Sequence, residues 1–159
     1  MSDPDMEIRF LNYSATPFYR GYWGWILEAG VGSLNTSPGT ELIAESGSQV
    51  MSASEILSTV ADGPYEIYCT WYNPNTKARF GVRIHVPLQV ADIGTAPYWY
   101  TSYDNNGGEN TAPNWTTSGD DPSQPFTWPG SIGCNIIATP TASHSNLSIE
   151  VLIQDLAQS

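Results

Sequence analysis

The sequence predicts an all-β protein, a single antiparallel β-sandwich with long aromatic loops at one end. Three observations carry that prediction. Apolar residues recur with period two along most of the chain, the mark of half-buried strands. Turns drawing on 14 Gly and 12 Pro interrupt those runs at short spacing, as in sandwiches. Only one stretch approaches helical spacing, which excludes alternating β-α units. One domain over 1–159 is expected, because a chain of 159 residues buries roughly 68–70% of its unfolded surface and is too short for two cores.

The first strand is predicted in "MEIRFLNYS", where Ile8 and Phe10 oppose Glu7 and Arg9. "PFYRGYWGWILEAG" follows, with Tyr22, Gly24 and Ile26 on one face and Trp23, Trp25 and Leu27 on the other, so both faces are apolar. "SASEILSTVADG" is the one helix candidate; its β-branched residues and short length favour a strand between two sheets. The clearest alternation is "YEIYCTWY", with Tyr65, Ile67, Cys69 and Trp71 inward against Glu66, Tyr68, Thr70 and Tyr72. "NPNTK" makes a short turn into "RFGVRIHVPL", where Phe80, Val82, Ile84, Val86 and Leu88 point inward, and the two runs are expected to pair antiparallel. At the C-terminus Ile132, Cys134, Ile136 and Ala138, the turn "TPTASHSN", and Leu147, Ile149, Val151 and Ile153 form a second hairpin.

Lys and Arg total 5 against 16 Asp and Glu, a net charge of −11 at pH 7. That field repels phosphate backbones and anionic lipid, so nucleic acid and polybasic membrane anchoring are excluded as partners. Any membrane contact has to use neutral or zwitterionic head groups. "MSDPDMEIRF" has no basic, apolar leader, and no apolar run reaches membrane-spanning length, so a soluble protein made without a signal peptide is expected, synthesised in the cytoplasm and able to act outside the cell on target membranes. Cys69 and Cys134 have no paired spacing and fall on inward phases, where a free cysteine packs as a small hydrophobe. Sequons at Asn12, Asn35, Asn114 and Asn146 are frequent by chance in an Asn/Ser/Thr-rich chain.

The catalytic inventory is nearly empty. His85 lies on an outward strand phase and His144 in a turn, positions that solvated histidines fill without any site. No nucleophile elbow, phosphate loop or zinc-protease motif occurs. Asp104, Glu109, Asp120 and Asp121 cluster in one region, and a two-carboxylate hydrolase is the weakest of the functional classes. "DNNGGEN" lacks the acidic spacing of a calcium loop. No metal, cofactor or enzymatic activity is therefore expected.

What remains is aromatic. "APYWYTSYDNNGGENTAPNW" sets Tyr98, Trp99, Tyr100, Tyr103 and Trp115 among loop-forming residues, with Asp104 beside them and Trp128 further on. Such rings either fold back over one end of the core or face outward to lodge among lipid head groups, stack on sugars, or hold a quaternary ammonium. Trp23 and Trp25, with Tyr13, Phe18, Tyr19 and Tyr22, are candidates for a second patch at the same end. The candidate ligand-binding residues are thus Tyr98, Trp99, Tyr100, Tyr103, Asp104, Trp115, Trp23 and Trp25, for a membrane lipid or, alternatively, a glycan.

The order of features also resembles a known family. "IRFLNYS", the segment "GSLNTSPGTELIAES", the hairpin "DGPYEIYCTWYNPNTKARFGVRIHVPL", the aromatic "APYWYTSYDNN" and the final pair "CNIIATPTASHSNLSIEVLIQ" together resemble the aegerolysin family, including its bacterial insecticidal relatives. The likeness is strongest over about 7–103 and 132–154, and Thr36, Ser37, Pro38, Ala44, Glu45 and Ser46 reproduce its "TSP" and "AES" segments. The resemblance implies a β-sandwich of toxin or defence type that binds membrane lipids, often sphingolipid-rich, and recruits a larger perforin-like protein to form a pore; it leaves self-association open. "ADGP" stands where that family commonly has a Gly-Thr-Glu-Gly turn, and about 104–130 looks like a loop insertion, changes that imply a changed ligand.

Overall fold

The structure, a computed structural model, describes residues 6–26, 33–54, 65–86, 98–104, 115–117, 124–142 and 147–156. Within them lie β1 (Met6–Asn12), β2 (Phe18–Ile26), β3 (Ser33–Thr36), β4 (Glu41–Leu42), β5 (Gly47–Ser54), β6 (Tyr65–Tyr72), β7 (Arg79–Val86) and β8 (Tyr98–Asp104). The two-residue strands β9 (Thr116–Thr117) and β10 (Phe126–Thr127), a 3-10 turn at Gly130–Ile132, and the long strands β11 (Cys134–Ala142) and β12 (Leu147–Asp155) complete the order. They form two six-stranded sheets, β10-β11-β12-β1-β5-β3 and β4-β2-β6-β7-β8-β9. The expected β-sandwich is what the chain forms.

Period-two alternation places the core between the sheets. From the first sheet come Met6, Ile8 and Phe10 of β1, Ile136 and Ala138 of β11, and Leu147, Ile149, Val151 and Ile153 of β12, all buried. From the second come Ile67, Cys69 and Trp71 of β6 and Phe80, Val82 and Ile84 of β7. Phe10 meets Trp71 edge-on at 5.5 Å between ring centroids, and Phe80 receives Phe18 at 5.4 Å and Trp128 at 5.5 Å, the T-shaped geometry that ring quadrupoles prefer. The β6–β7 pairing is antiparallel, with Trp71 opposite Phe80 and Cys69 opposite Val82, as the hairpin pattern predicts. One pairing departs from a wholly antiparallel plan: β1 and β12 run parallel, Ile8 beside Ile149 and Phe10 beside Val151.

Two asparagines fasten one end of the sandwich. Asn12, buried where β1 stops, donates from Nδ2 to the carbonyls of Thr16 (2.8 Å), Leu42 (3.2 Å) and Ile43 (3.1 Å), while its Oδ1 accepts from the Ser14 amide and hydroxyl. That amide is consumed inside the fold, which removes Asn12 as a glycan acceptor. Asn73 opens the "NPNTK" turn, accepting the Asn75 amide on Oδ1 and donating to the Ile132 carbonyl at 2.9 Å. Lys77 completes the turn at φ 65°, a left-handed conformation.

The aromatic stretch is corrected by the structure. Residues 98–104 are not a loop but strand β8, paired along its length with β7. Trp99 lies opposite Ile84 and is 0% exposed, because period-two pleating turns it toward the core. Trp128 is buried too, donating its indole N–H to the Ser102 carbonyl at 2.9 Å. In the "SASEILSTVADG" segment β5 extends to Ser54; 55–64 lie outside the described residues. Within 104–130, β9 lengthens the second sheet and β10 the first, while 105–114 and 118–123 lie outside the described residues.

Candidate functional site

The outer face of the second sheet carries partly exposed rings beside charged side chains. The register brings Gly24, Tyr68, Arg83 and Tyr100 into one row across β2, β6, β7 and β8, with Glu66 and His85 in the next row. Tyr22 stacks on Tyr68 at 5.3 Å and 19° between planes. Trp115, just before β9, meets Tyr68 edge-on at 6.2 Å. Arg83 lies over the Tyr100 ring at 4.8 Å, and His85 meets the same ring edge-on at 6.3 Å. Tyr22, Tyr68, Tyr100 and Trp115 are each partly exposed, so this face presents fixed rings to solvent.

Gly24 makes the seat. Tyr68 folds across it, and a Cβ there would stand 2.8 Å from Tyr68 Oη, too close for any other residue without displacing the phenol. Just before it, a bulge between Arg20 and Trp23 inserts an extra residue into β2, and the Tyr22 carbonyl accepts the Thr70 hydroxyl at 2.9 Å. Bulges re-aim side chains in this way, and here Tyr22 faces outward over Tyr68.

The charges beside the rings are held together. Glu66, nearly buried, is bonded by Arg83 and by His85 Nδ1, the latter at 2.7 Å. Burial alone would raise the Glu66 carboxyl, but the His85 and Arg83 hydrogen bonds and charges outweigh it and hold the group below its ordinary value. Tyr68 moves the other way: burial, its hydrogen bond with Tyr22, and the nearby Tyr22 and Glu66 charges push the phenol up to about 12. The face therefore offers a neutral Tyr68 phenol beside the paired Glu66 carboxylate and Arg83 guanidinium at neutral pH. His85, expected to be a solvated strand histidine, is instead a partner of Glu66.

The eight residues singled out from the sequence divide among several places. Tyr100 and Trp115 belong to this outer face. Asp104 also lies on it, two rows from Tyr100 on the side away from Glu66, where its Oδ2 accepts from buried Arg79 at 2.7 Å; it serves that ion pair rather than an open loop. Trp99 and Tyr103 point inward, Tyr103 packing on the core and hydrogen-bonding Ser131 through its hydroxyl. Trp23 and Trp25 also lie on the inward phase, opposite Cys69 and Ile67. Their rings are 5.8 Å apart, and the Arg20 guanidinium stacks on Trp23 at 4.2 Å. They occupy the opposite side of the sheet from Tyr22, because alternation along one strand separates odd from even positions. Tyr98 is paired with His85 in the register; its side chain lies outside the described residues.

Glu66, Tyr68, Arg83 and His85 were missed as site residues, and Tyr22 was expected only as a neighbour of Trp23 and Trp25 in a second patch. Their signal was present: outward phase on neighbouring strands, with rings where a solvated sheet usually carries small polar residues. Burial pushes the Cys69 thiol up, consistent with an inert core cysteine. Among the described residues no group of three or more His, Cys, Asp or Glu converges as a metal site, and no helix is long and apolar enough to cross a membrane. The chain matches no protein-family model and no curated protein.

Proposed function

We propose that the protein is a non-enzymatic, membrane-lipid-binding protein of toxin or defence type, which reads a neutral or zwitterionic head group with the outer face of its second sheet and acts with a larger perforin-like partner. The observation that carries this reading is the row of partly exposed rings, Tyr22, Tyr68, Trp115 and Tyr100, held beside the Glu66–Arg83–His85 group. Tyr and Trp favour the water–lipid boundary, rings attract an ammonium group, and a guanidinium attracts phosphate. The net charge of −11 favours zwitterionic over anionic surfaces. The aegerolysin-like layout supports the toxin role and the partner.

A glycan is the second reading, favoured by one feature: a sugar needs a ring to stack on and polar groups beside it, and Glu66 and His85 supply the latter. Sedimentation with vesicles of phosphatidylcholine, sphingomyelin, phosphatidylethanolamine or phosphatidylserine, run alongside a glycan array, separates the two. Saturable binding to a zwitterionic vesicle, lost in Tyr68→Ala while the circular dichroism spectrum is kept, is the expected result. Glycan binding without vesicle binding reverses the ranking.

A further inference from the structure

Open strand edges invite pairing, and folded proteins blunt them with short strands, prolines, charges or covering segments. Among the described residues each long strand flanking an edge is guarded, with one exception. Along β11, β10 covers Ile137 and Ala138, and Pro140 interrupts the hydrogen-bonding edge beyond. Along β5, β3 covers Ser52–Ser54, and the Gln49 side chain ties segment 39–41 alongside through the Gly39 amide (2.7 Å) and Glu41 carbonyl (2.9 Å). Along β8, β9 covers Tyr100 and Thr101, the Trp128 indole takes the Ser102 carbonyl, and the strand ends on Asp104.

The exception is the second half of β2. β4 pairs only with Phe18 and Tyr19, and the Arg20 amide bonded to Thr40 O at 3.0 Å is the last backbone contact on that side among the described residues. From Trp23 to Ile26 the strand pairs regularly with β6 on one side and with no strand on the other among the described residues. The segment Gly21–Ile26 contains no charge and no proline. Trp25, within it, is 46% exposed.

We propose that this edge is a self-pairing interface, at which β2 of a second copy adds antiparallel to β2 and joins the two second sheets into one. The sequence favours a second copy over an unrelated strand because "WGW" is symmetric about Gly24. Antiparallel pairing centred on Gly24 sets Trp23 against the partner's Trp25 and Trp25 against the partner's Trp23, the isologous pattern of a two-fold dimer with cross-strand aromatic pairs. Charge selects the same place. Two molecules of net charge −11 repel over most of their surfaces, and a segment without Asp, Glu, Lys or Arg is where they meet with least repulsion. The two-fold axis runs through the sheet plane, so both outer faces turn to the same side. The pairing itself does not depend on what those faces bind.

Analytical ultracentrifugation without lipid, over a concentration series, tests this with wild type, Trp25→Lys and Ile43→Lys, the last placed on exposed Ile43 outside the interface. A monomer–dimer equilibrium in wild type and Ile43→Lys, shifted to monomer at least tenfold by Trp25→Lys, is the expected result. A wild type that stays monomeric throughout, or a dimer indifferent to Trp25→Lys, overturns the proposal. Hydrogen exchange of the wild type needs no variant: amide protection that rises with concentration in peptides covering 21–26 supports the edge, and a concentration-dependent rise found only elsewhere overturns it. Lipid binding is measured separately, so loss of the dimer and loss of the head-group reading are distinguishable.

Discussion

Trp99 and Trp25 share the inward phase of the same sheet and differ in what surrounds them. Trp99 sits opposite Ile84 in the interior and is wholly buried, whereas Trp25 lies on the open half of β2 and is half exposed. Trp99→Ala should therefore lower stability by about 3–5 kcal/mol, the usual cost of truncating a large buried aromatic. Trp25→Ala should cost far less in monomer stability. Urea unfolding of the two variants checks the contrast, and equal losses would contradict this account of the edge. Glu66 gives a pH prediction. Its folded-state value is lowered from 4.5, so its stabilising contribution is complete above that ordinary value and disappears as pH falls through the lower folded one. Glu66→Gln should be less stable than wild type at neutral pH, and the gap should close in acid below pH 4.5. Melting temperatures of both proteins across that range test the sign. Inward Ile67, Cys69 and Trp71 of β6 and Phe80, Val82 and Ile84 of β7 were legible in the sequence, because an apolar residue facing a core has few alternatives; the side chains of Tyr65, Val86 and Leu88, expected on the same faces, lie outside the described residues. His85 read as solvated because nothing in a single strand shows that Glu66 stands beside it; only the cross-strand register does.

At the scale of elements, legibility followed how sharply the two faces of a strand differ. β6, β7 and β12 alternate cleanly, so their phase and the β6–β7 pairing were readable. "YWYTSYD" carries aromatic rings on both phases, so its hydrophobicity does not alternate, and flanking Gly, Asn and Pro made it look like a loop. Strand β7 resolves it: Ile84 and Phe80 pull Trp99 and Tyr103 inward, while Arg83 stands beside Tyr100. The same register explains Gly81 in the middle of β7. A Cβ there would stand 2.6 Å from Thr70 Cγ2 and 2.7 Å from Ser102 Oγ, so the outer face is as closely packed at this point as an interior. Gly81→Ala should destabilise by about 1–3 kcal/mol through overpacking, although strands ordinarily gain from losing glycine. Thermal denaturation decides, and a stabilised variant would show that the β6–β7–β8 face yields more readily than these distances imply. Gly24→Ala belongs to a different class: its clash is with the end of one ring, so its expected effect is on Tyr68 and binding more than on the fold.

For the whole molecule, the two-layer architecture was legible while the order of strands was not. Alternation shows that a strand has an inside, but the parallel pairing of β1 with β12 joins segments that no hairpin connects. That pairing makes the C-terminal strand central. β12 lies between β1 and β11, and without it β11 and β10 lose their only link to the first sheet among the described residues. Leu147, Ile149, Val151 and Ile153 would leave the core together. At about 1.5–3 kcal/mol for each fully buried aliphatic side chain, their loss amounts to roughly 6–12 kcal/mol, comparable with the whole stability of a domain, about 5–15 kcal/mol. A chain ending at residue 146 should therefore fail to fold, while one ending at Asp155 keeps every β12 pairing and should unfold in a single cooperative transition like the full chain. Circular dichroism with urea titration distinguishes them. A cooperative transition in the shorter chain would mean that the second sheet, with β1 and β5 packed on it, is stable alone, and that the core is divided between the two layers rather than shared.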